Sequence, residues 1–148
     1  MMGCYSFLGR FPIPPVEQAS DPQTDHRDVS LTIPARPEHL VLARLALSAV
    51  CRLTPLSPEE VADLKLAVTE AANDFVDETR PDDEEGRLNV SFKLEESKLI
   101  VELDGPSSSL ADAEQELGRA IIEATVDEVD YVPGRTRIVK HLPGRAQG

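Results

Sequence analysis

Carboxylates are the side chains of this sequence that are best placed to take part in chemistry. A predicted helix at residues 57–78 carries four of them, Asp63, Glu70, Asp74 and Asp77. Carboxylate oxygens can accept a proton or bind Mg²⁺. Residues four positions apart in a helix share a face, so Glu70 and Asp74 are predicted neighbours. The acids are either a solvated flank of the helix or the wall of a site.

The helix that carries these acids has a defined start and a core face. Ser57 is predicted as the N-cap, Pro58 takes the first helical position and Glu60 completes a capping box. Apolar residues recur at steps of three and four, which predicts one buried side. That side comprises Val61, Leu64, Val68, Ala71 and Phe75.

The composition predicts one globular domain, because the chain has 148 residues and is 41% hydrophobic. Its formal net charge of −12 repels nucleic acid and anionic membranes, so neither is an expected partner.

No apolar run is long enough to cross a bilayer, and the N-terminal residues lack a signal-peptide pattern, which favours a cytoplasmic protein. The two cysteines and three histidines show no metal-ligand spacing.

The predicted elements follow the order β-α-α-β-β-α-β-β. This order favours an α+β fold, a two-layer sandwich in which three helices cover one face of a mixed, mostly antiparallel sheet. A proline-rich flexible tail at 1–27 and a short tail at 144–148 flank the domain at 28–143. The predicted strands are 29–33, 87–94, 98–104, 127–132 and 135–142, and the predicted helices are 37–53, 57–78 and 110–126.

The third predicted helix contains a glycine, Gly118. A glycine inside a helix costs about 1 kcal/mol relative to alanine, which suggests either a bound nucleotide or tight helix–sheet packing. The helix is expected to turn inward the side formed by Leu110, Ala113, Leu117, Ile121 and Ala124.

Three segments carry a family resemblance: LTIPARPEHLVLARLAL (31–47), LKLAVTEA (64–71), and IIEATVDEV with the later IVKHL (121–129 and 138–142). They resemble the anti-sigma-factor serine kinases of the RsbW and SpoIIAB type, members of the GHKL, or histidine-kinase-like, ATPase superfamily. The resemblance covers roughly residues 29–142. It implies the three-helix, mixed-sheet fold of that superfamily, with ATP and Mg²⁺ as cofactors.

The first family motif is a helical Glu, acting as general base, followed four residues later by an Asn that holds Mg²⁺. Glu70 matches the base. Asp74 stands at the metal position, while Asn73 is one residue early. A carboxylate can ligate Mg²⁺, but it also adds negative charge beside a polyphosphate.

Two further family motifs are only partly present. Asp104 and Gly105 match the strand-end Asp that receives the adenine amino group and the glycine that follows it, without a second glycine. Of a Gly-x-Gly that holds phosphates at the third helix, Gly118 remains, Glu116 replaces the first glycine, and Arg119 could compensate its charge.

Two other features near these motifs depart from the family pattern. The span between the second and third motifs is short for the lid that closes over ATP in relatives. The sequence GRT at 134–136 approximates a Gly-Thr near the adenine, which adds Thr136 to the predicted cofactor residues.

Two hypotheses of function follow from the resemblance. The chain could be an ATP-dependent serine kinase of an anti-anti-sigma protein, with Glu70 taking the hydroxyl proton and Asp74 holding Mg²⁺. Alternatively, it could be a catalytically degenerate binding module that sequesters a sigma factor or its antagonist. The resemblance also implies that the chain could form a homodimer, for which the first helix and its preceding strand could serve. A third reading, a metal-binding protein that uses the acid stripe, lacks ligands from other elements.

Overall fold

The computed structural model describes residues 27–76, 86–106 and 112–143. Apart from Arg27, the two predicted tails lie outside the described residues. A single turn of 3₁₀ helix, Pro37–His39, precedes the first α-helix. The strands are β1 Arg27–Pro34, β2 Arg87–Leu94, β3 Lys98–Asp104, β4 Glu128–Val132 and β5 Arg135–His141, and the helices are α1 Leu40–Cys51, α2 Pro58–Asn73 and α3 Asp112–Thr125.

The five strands form one sheet in the order β1-β2-β3-β5-β4. Each of the four described pairings is antiparallel, including the predicted hairpins β2–β3 and β4–β5. The predicted α+β fold with three helices is confirmed, and its sheet is antiparallel in every described pair.

The two faces of the sheet differ in polarity because side chains alternate along each strand. On the helix-covered face, Leu88, Val90 and Phe92 of β2 are at most 1% exposed and belong to the main hydrophobic core. Asn89 and Lys93 fall on the opposite, outer face. The position of a residue in this alternation therefore decides whether it can reach a site between sheet and helices.

Helix α2 begins as predicted and ends earlier than predicted. Ser57 Oγ accepts from the Glu60 N–H at 3.1 Å, and Glu60 Oε1 accepts from the Ser57 N–H at 2.9 Å, which confirms the capping box. The helix ends at Asn73 because the N–H groups of Asp74 and Phe75 donate to carbonyls three residues back. Phe75 then turns into the core and is 4% exposed.

The predicted inner side of α3 is wrong. Leu117 is 64% exposed, and Ala113 and Ala124 are exposed as well. Gly118 and Ile122 are buried instead. A Cβ built on Gly118 would lie 3.3 Å from Glu70 Oε1, so α3 rotates its smallest residue towards α2 and packs closely there. No helix in the described part of the chain is long and apolar enough to cross a membrane.

Candidate nucleotide site

A cleft of about 300 Å³ opens between the end of α2, helix α3 and the β4–β5 hairpin. Its lining includes three of the predicted cofactor residues, Asp74, Arg119 and Thr136, together with Tyr131 and Phe75. Thr136 is only 3% exposed and lies on the helix-covered face of β5. The cleft is therefore the place where the structure gathers part of the predicted site.

The carboxylate of Asp74 lines one end of this cleft. Asp74 is partly buried at the C-cap of the helix. Burial raises the pKa of its carboxyl, the positive charge of Arg119 lowers that pKa, and the negative charge of Glu70 raises it. The structure thus places Glu70 and Asp74 close enough for their charges to interact. Among the described residues, no group of three or more acidic, His or Cys side chains could hold a metal ion.

Arg119 and Tyr131 each place in the cleft a polar atom that lacks a hydrogen-bond partner among the described residues. The Arg119 guanidinium lies 4.2 Å from the centroid of the Tyr131 ring, a cation–π contact. Arg119 Nε and the Tyr131 hydroxyl are both shielded from solvent and have no hydrogen-bond partner among the described residues. Burial, with a smaller contribution from Glu123, raises the pKa of Tyr131 to about 12. Tyr131 is therefore a neutral polar group at neutral pH.

The motif comparison did not identify Tyr131 as a site residue, although the sequence holds a signal for it. Tyr131 is directly opposite Thr136 in the β4–β5 register. Directly opposed residues of an antiparallel pair point to the same face of the sheet. A site assigned to Thr136 therefore includes Tyr131 once the hairpin register is known.

Asp104 does not face the cleft. Its side chain lies on the outer face of β3, opposite Arg135 in the strand register, and its Oδ1 accepts from Arg135 Nε at 2.5 Å. Hydrogen bonding to Asp104 raises the pKa of Arg135. The inner position at this strand end belongs to Leu103, which is fully buried and directly opposite Thr136. An apolar side chain thus stands where an adenine amino group would need an acceptor.

Gly105 is used for internal packing. A Cβ at this position would lie 3.1 Å from Phe75 Cδ1 and 3.3 Å from the carbonyl oxygen of Arg87. Its N–H donates to the Gly134 carbonyl at 3.1 Å, and Gly134 has a φ of 78°, which favours glycine. The close approach at Gly105 is therefore made by the Phe75 ring.

The remaining predicted residues do not form a phosphate cradle. Gly118 lies in the interior of α3, where its N–H is directed at a carbonyl one turn earlier in the same helix. Glu116 is exposed and does not line the cleft. Asn73 ends α2 and does not line the cleft.

Comparison with known proteins agrees with this architecture. The histidine kinase-like ATPase domain family matches residues 33–139. This chain belongs to that family. Helices α1, α2 and α3 and strands β2, β3 and β4 fall within the matched span, which ends inside β5.

The chain is similar to two bacterial proteins named serine-protein kinase RsbW. It is 36% identical to that of Listeria innocua over 97 residues, which are 64% of this chain and 62% of the relative. It is 32% identical to that of Bacillus subtilis over 103 residues, which are 68% of this chain and 64% of the relative. The chain thus spans less than two thirds of the length of these relatives.

A solved structure shares the fold. It contains the RsbU and RsbW domains of a Mycobacterium tuberculosis protein, and it superposes with a TM-score of 0.57 at 16% identity. The superposition covers 78% of this chain and 32% of that chain. At this level of identity the likeness concerns the fold alone.

The residues of this family member fit ATP at one end of the cleft and not at the other. Leu103 offers no acceptor for adenine, and Phe75 occupies the space against Gly105. At the other end, by contrast, Arg119 Nε and the Tyr131 hydroxyl are buried without a hydrogen-bond partner among the described residues. A phosphate oxygen could accept a hydrogen bond from each of them. Complete recognition of adenine and phosphate together is therefore not built into the described residues.

Proposed function

We propose that this chain is an anti-sigma-factor-type regulator of transcription that acts in the cytoplasm by binding a sigma factor, its antagonist, or both, without phosphoryl transfer. The observation that carries the proposal is the orientation of β3. Its terminal carboxylate, Asp104, is ion-paired on the outer face, and the inner position beside Thr136 is taken by Leu103. Similarity to proteins named RsbW supports the regulatory role.

The surroundings of Gly118 support the same proposal. Kinases place backbone N–H groups and positive charge around the transferred phosphoryl group. Here Gly118 is an interior helix residue, and its Cα packs against Glu70, the residue that the resemblance assigns as general base. Asp74 adds a second carboxylate next to Glu70. Two carboxylates side by side, with no phosphate cradle among the described residues, disfavour a bound triphosphate.

Calorimetry with nucleotide tests the proposal directly. We expect no binding heat for ATP up to about 1 mM, with or without Mg²⁺, which limits any binding free energy to about −4 kcal/mol. The matched variants are Asp104→Asn and, as control, Glu102→Gln, which removes the neighbouring outer-face carboxylate paired with Arg137 at 3.4 Å. Nucleotide binding that Asp104→Asn abolishes and Glu102→Gln preserves would contradict the outward placement of Asp104.

Partner binding is the positive half of the test. Purified sigma factor and purified anti-anti-sigma protein should be presented to the chain by biolayer interferometry, in the absence and presence of Mg²⁺ and ATP. We expect binding to at least one of the two, with an affinity that nucleotide leaves unchanged. Binding that requires ATP would contradict the nucleotide-independent mechanism, and the absence of binding to both proteins would contradict the regulatory role.

A second candidate function is an ATP-dependent serine kinase. It is favoured by Arg119 Nε and the Tyr131 hydroxyl, which lack hydrogen-bond partners among the described residues and lie in the same cleft as Asp74. The resemblance gives Glu70 the role of base and Asp74 that of Mg²⁺ ligand. Transfer of labelled phosphate from ATP to an anti-anti-sigma protein distinguishes the two candidates. Transfer that is lost in Glu70→Gln and retained in Asp63→Asn would establish the kinase.

A further inference from the structure

The cleft between α2, α3 and the β4–β5 hairpin contains charges of both signs. Asp74 and Arg119 line it, and the positive charge of Arg119 lowers the pKa of Asp74, which burial raises. Among the salt bridges of the described residues, however, none joins these two side chains. Each therefore acts on the other through space, and a ligand with a charge at each end could lie between them.

The Arg119 end of the cleft suits a carboxylate. Arg119 Nε and the Tyr131 hydroxyl are buried without a hydrogen-bond partner in the described part of the chain, an arrangement that costs free energy. The contact of the guanidinium with the Tyr131 ring, at 4.2 Å, does not supply an acceptor. A carboxylate can accept hydrogen bonds from a guanidinium and from a phenol together.

The Asp74 end of the cleft suits an ammonium group. The carboxylate of Glu70 interacts with that of Asp74, so this end gains from a nearby cation. Arg135, the other cation that lines the cleft, is hydrogen-bonded to Asp104 on the outer face of the sheet. No group of three acidic, His or Cys side chains within the described residues could hold a metal ion, which favours an organic cation.

The size and the remaining lining of the cleft limit the ligand further. A volume of about 300 Å³ is at the lower end of the range for ligand pockets. Phe75, Val132 and Pro133 provide apolar lining beside the charged groups. The net charge of −12 repels a simple anion over long distances, whereas a molecule with one charge of each sign is not repelled.

We propose that this cleft binds a small zwitterion with the chemistry of an apolar α-amino acid. Its carboxylate accepts hydrogen bonds from Arg119 and Tyr131, its ammonium group pairs with Asp74, and its side chain lies against Val132 and Pro133. The inference goes beyond the proposed function, which leaves this cleft without a ligand.

Free amino acids and their derivatives test the proposal. Calorimetry with L-valine, L-leucine and L-phenylalanine identifies the tightest binder, for which we expect a Kd of about 1 mM or lower. Its N-acetyl derivative lacks the ammonium charge, and its amide lacks the carboxylate. Each derivative should bind at least about tenfold more weakly, because each loses one charged hydrogen-bonding group. Absence of binding heat from all three amino acids, or equal affinity for either derivative, would overturn the proposal.

Variants of the full chain assign each end of the ligand. Asp74→Asn should remove the preference for the amino acid over its N-acetyl derivative, and Arg119→Met should remove the preference over its amide. Tyr131→Phe should weaken binding about tenfold. The matched controls are Glu102→Gln and Arg137→Met, an acid and a base that pair at 3.4 Å on the outer face of the sheet. Neither control should change the affinity, and circular dichroism checks that every variant is folded. Preferences that survive in both cleft variants would overturn the assignment to this cleft.

Calorimetry with ATP separates this inference from the proposed function. If neither ATP nor an amino acid binds, the inference fails and the proposed function stands. If ATP binds and the amino acids do not, both fail. If ATP binds and the amino acid displaces it, the proposed function fails and the zwitterion site is supported.

Discussion

At the scale of single residues, Gly118 serves the packing of α3 against α2. Its missing side chain lets α3 approach Glu70, since a Cβ would lie 3.3 Å from Glu70 Oε1. The contacted atom is the end of a flexible side chain and can shift by a few tenths of an ångström. The contact between α2 and α3 therefore tolerates a methyl group, although a larger side chain would separate the helices.

Gly118→Ala should stabilise the protein. Alanine is favoured over glycine inside a helix by about 1 kcal/mol, and moving Glu70 Oε1 offsets part of this gain. We expect the free energy of unfolding in urea to rise by about 0.5 kcal/mol. The gain should be larger in a Glu70→Ala background, where the contacted oxygen is absent. Destabilisation in both backgrounds would contradict the geometry of the α2–α3 contact.

Tyr131 provides a second prediction at this scale. Burial raises its pKa to about 12, above the ordinary value of 10. Because the folded state holds the proton more tightly than the unfolded state, this group's contribution to stability is complete below pH 10 and is lost as the pH rises towards 12. In a Tyr5→Phe variant, the absorbance at about 295 nm, a tyrosinate band, should titrate near pH 12 and not near pH 10.

Arg119 supplies the control for this titration. Its positive charge lowers the pKa of Tyr131 from a distance of 4.2 Å. Arg119→Met keeps an aliphatic side chain over the ring and removes the charge, so the midpoint should move to still higher pH. A midpoint unchanged by Arg119→Met would show that the guanidinium does not lie over the ring in solution.

At the scale of elements, the start of α2 is fixed by local chemistry. The Ser57 hydroxyl and the Glu60 carboxylate each satisfy an N–H that the helix cannot pair internally. Ser57→Ala should lower the free energy of unfolding by about 1 kcal/mol, measured in urea. Ser48→Ala in the interior of α1 is the matched serine control, and it should be neutral or stabilising because alanine is the better helix former. Equal losses in both variants would contradict the capping role.

The same elements show which features could be predicted from sequence. The capping box and the core face of α2 follow from local patterns, and the structure confirms them. The inner side of α3 does not follow from the local pattern, because Gly118 packs against α2 while Leu117 stays exposed. This contact between helices leaves no periodic pattern of apolar residues in the sequence. Hydrophobic periodicity weights large side chains, so it could not identify a helix whose contact is centred on a glycine.

The candidate site was predictable to a similar degree. Glu70, Asp74, Arg119 and Thr136 could be found from motif spacing, and the last three line the cleft. The family motif predicts Asp104 as the adenine acceptor because a glycine follows it, although the alternation of β3 places its side chain on the outer face. Motif spacing records neighbours along the chain, whereas strand alternation decides the direction of a side chain. Both signals are needed at the end of a strand.

At the scale of the whole molecule, charge is distributed unevenly. The net charge of −12 comes from acids over most of the chain, whereas α1 contains Arg44 and no acidic residue. Repulsion among the acids opposes the compact state and attracts basic partners over long distances.

The stability of the whole molecule should increase with salt at neutral pH. Ions at about 0.15 M reduce the range of charge repulsion to about 8 Å, compared with about 30 Å at 0.01 M. For a chain of net charge −12, this screening should raise the midpoint of thermal unfolding, measured by circular dichroism. The rise should shrink near pH 5, close to the isoelectric point of about 4.6, because the net charge is then small.

NaCl and KCl should act equally, since the effect is screening and not the binding of a particular ion. A midpoint that falls with salt at pH 7 would show that attractive ion pairs, such as those of Lys140 with Glu60 and Asp127, outweigh the net repulsion.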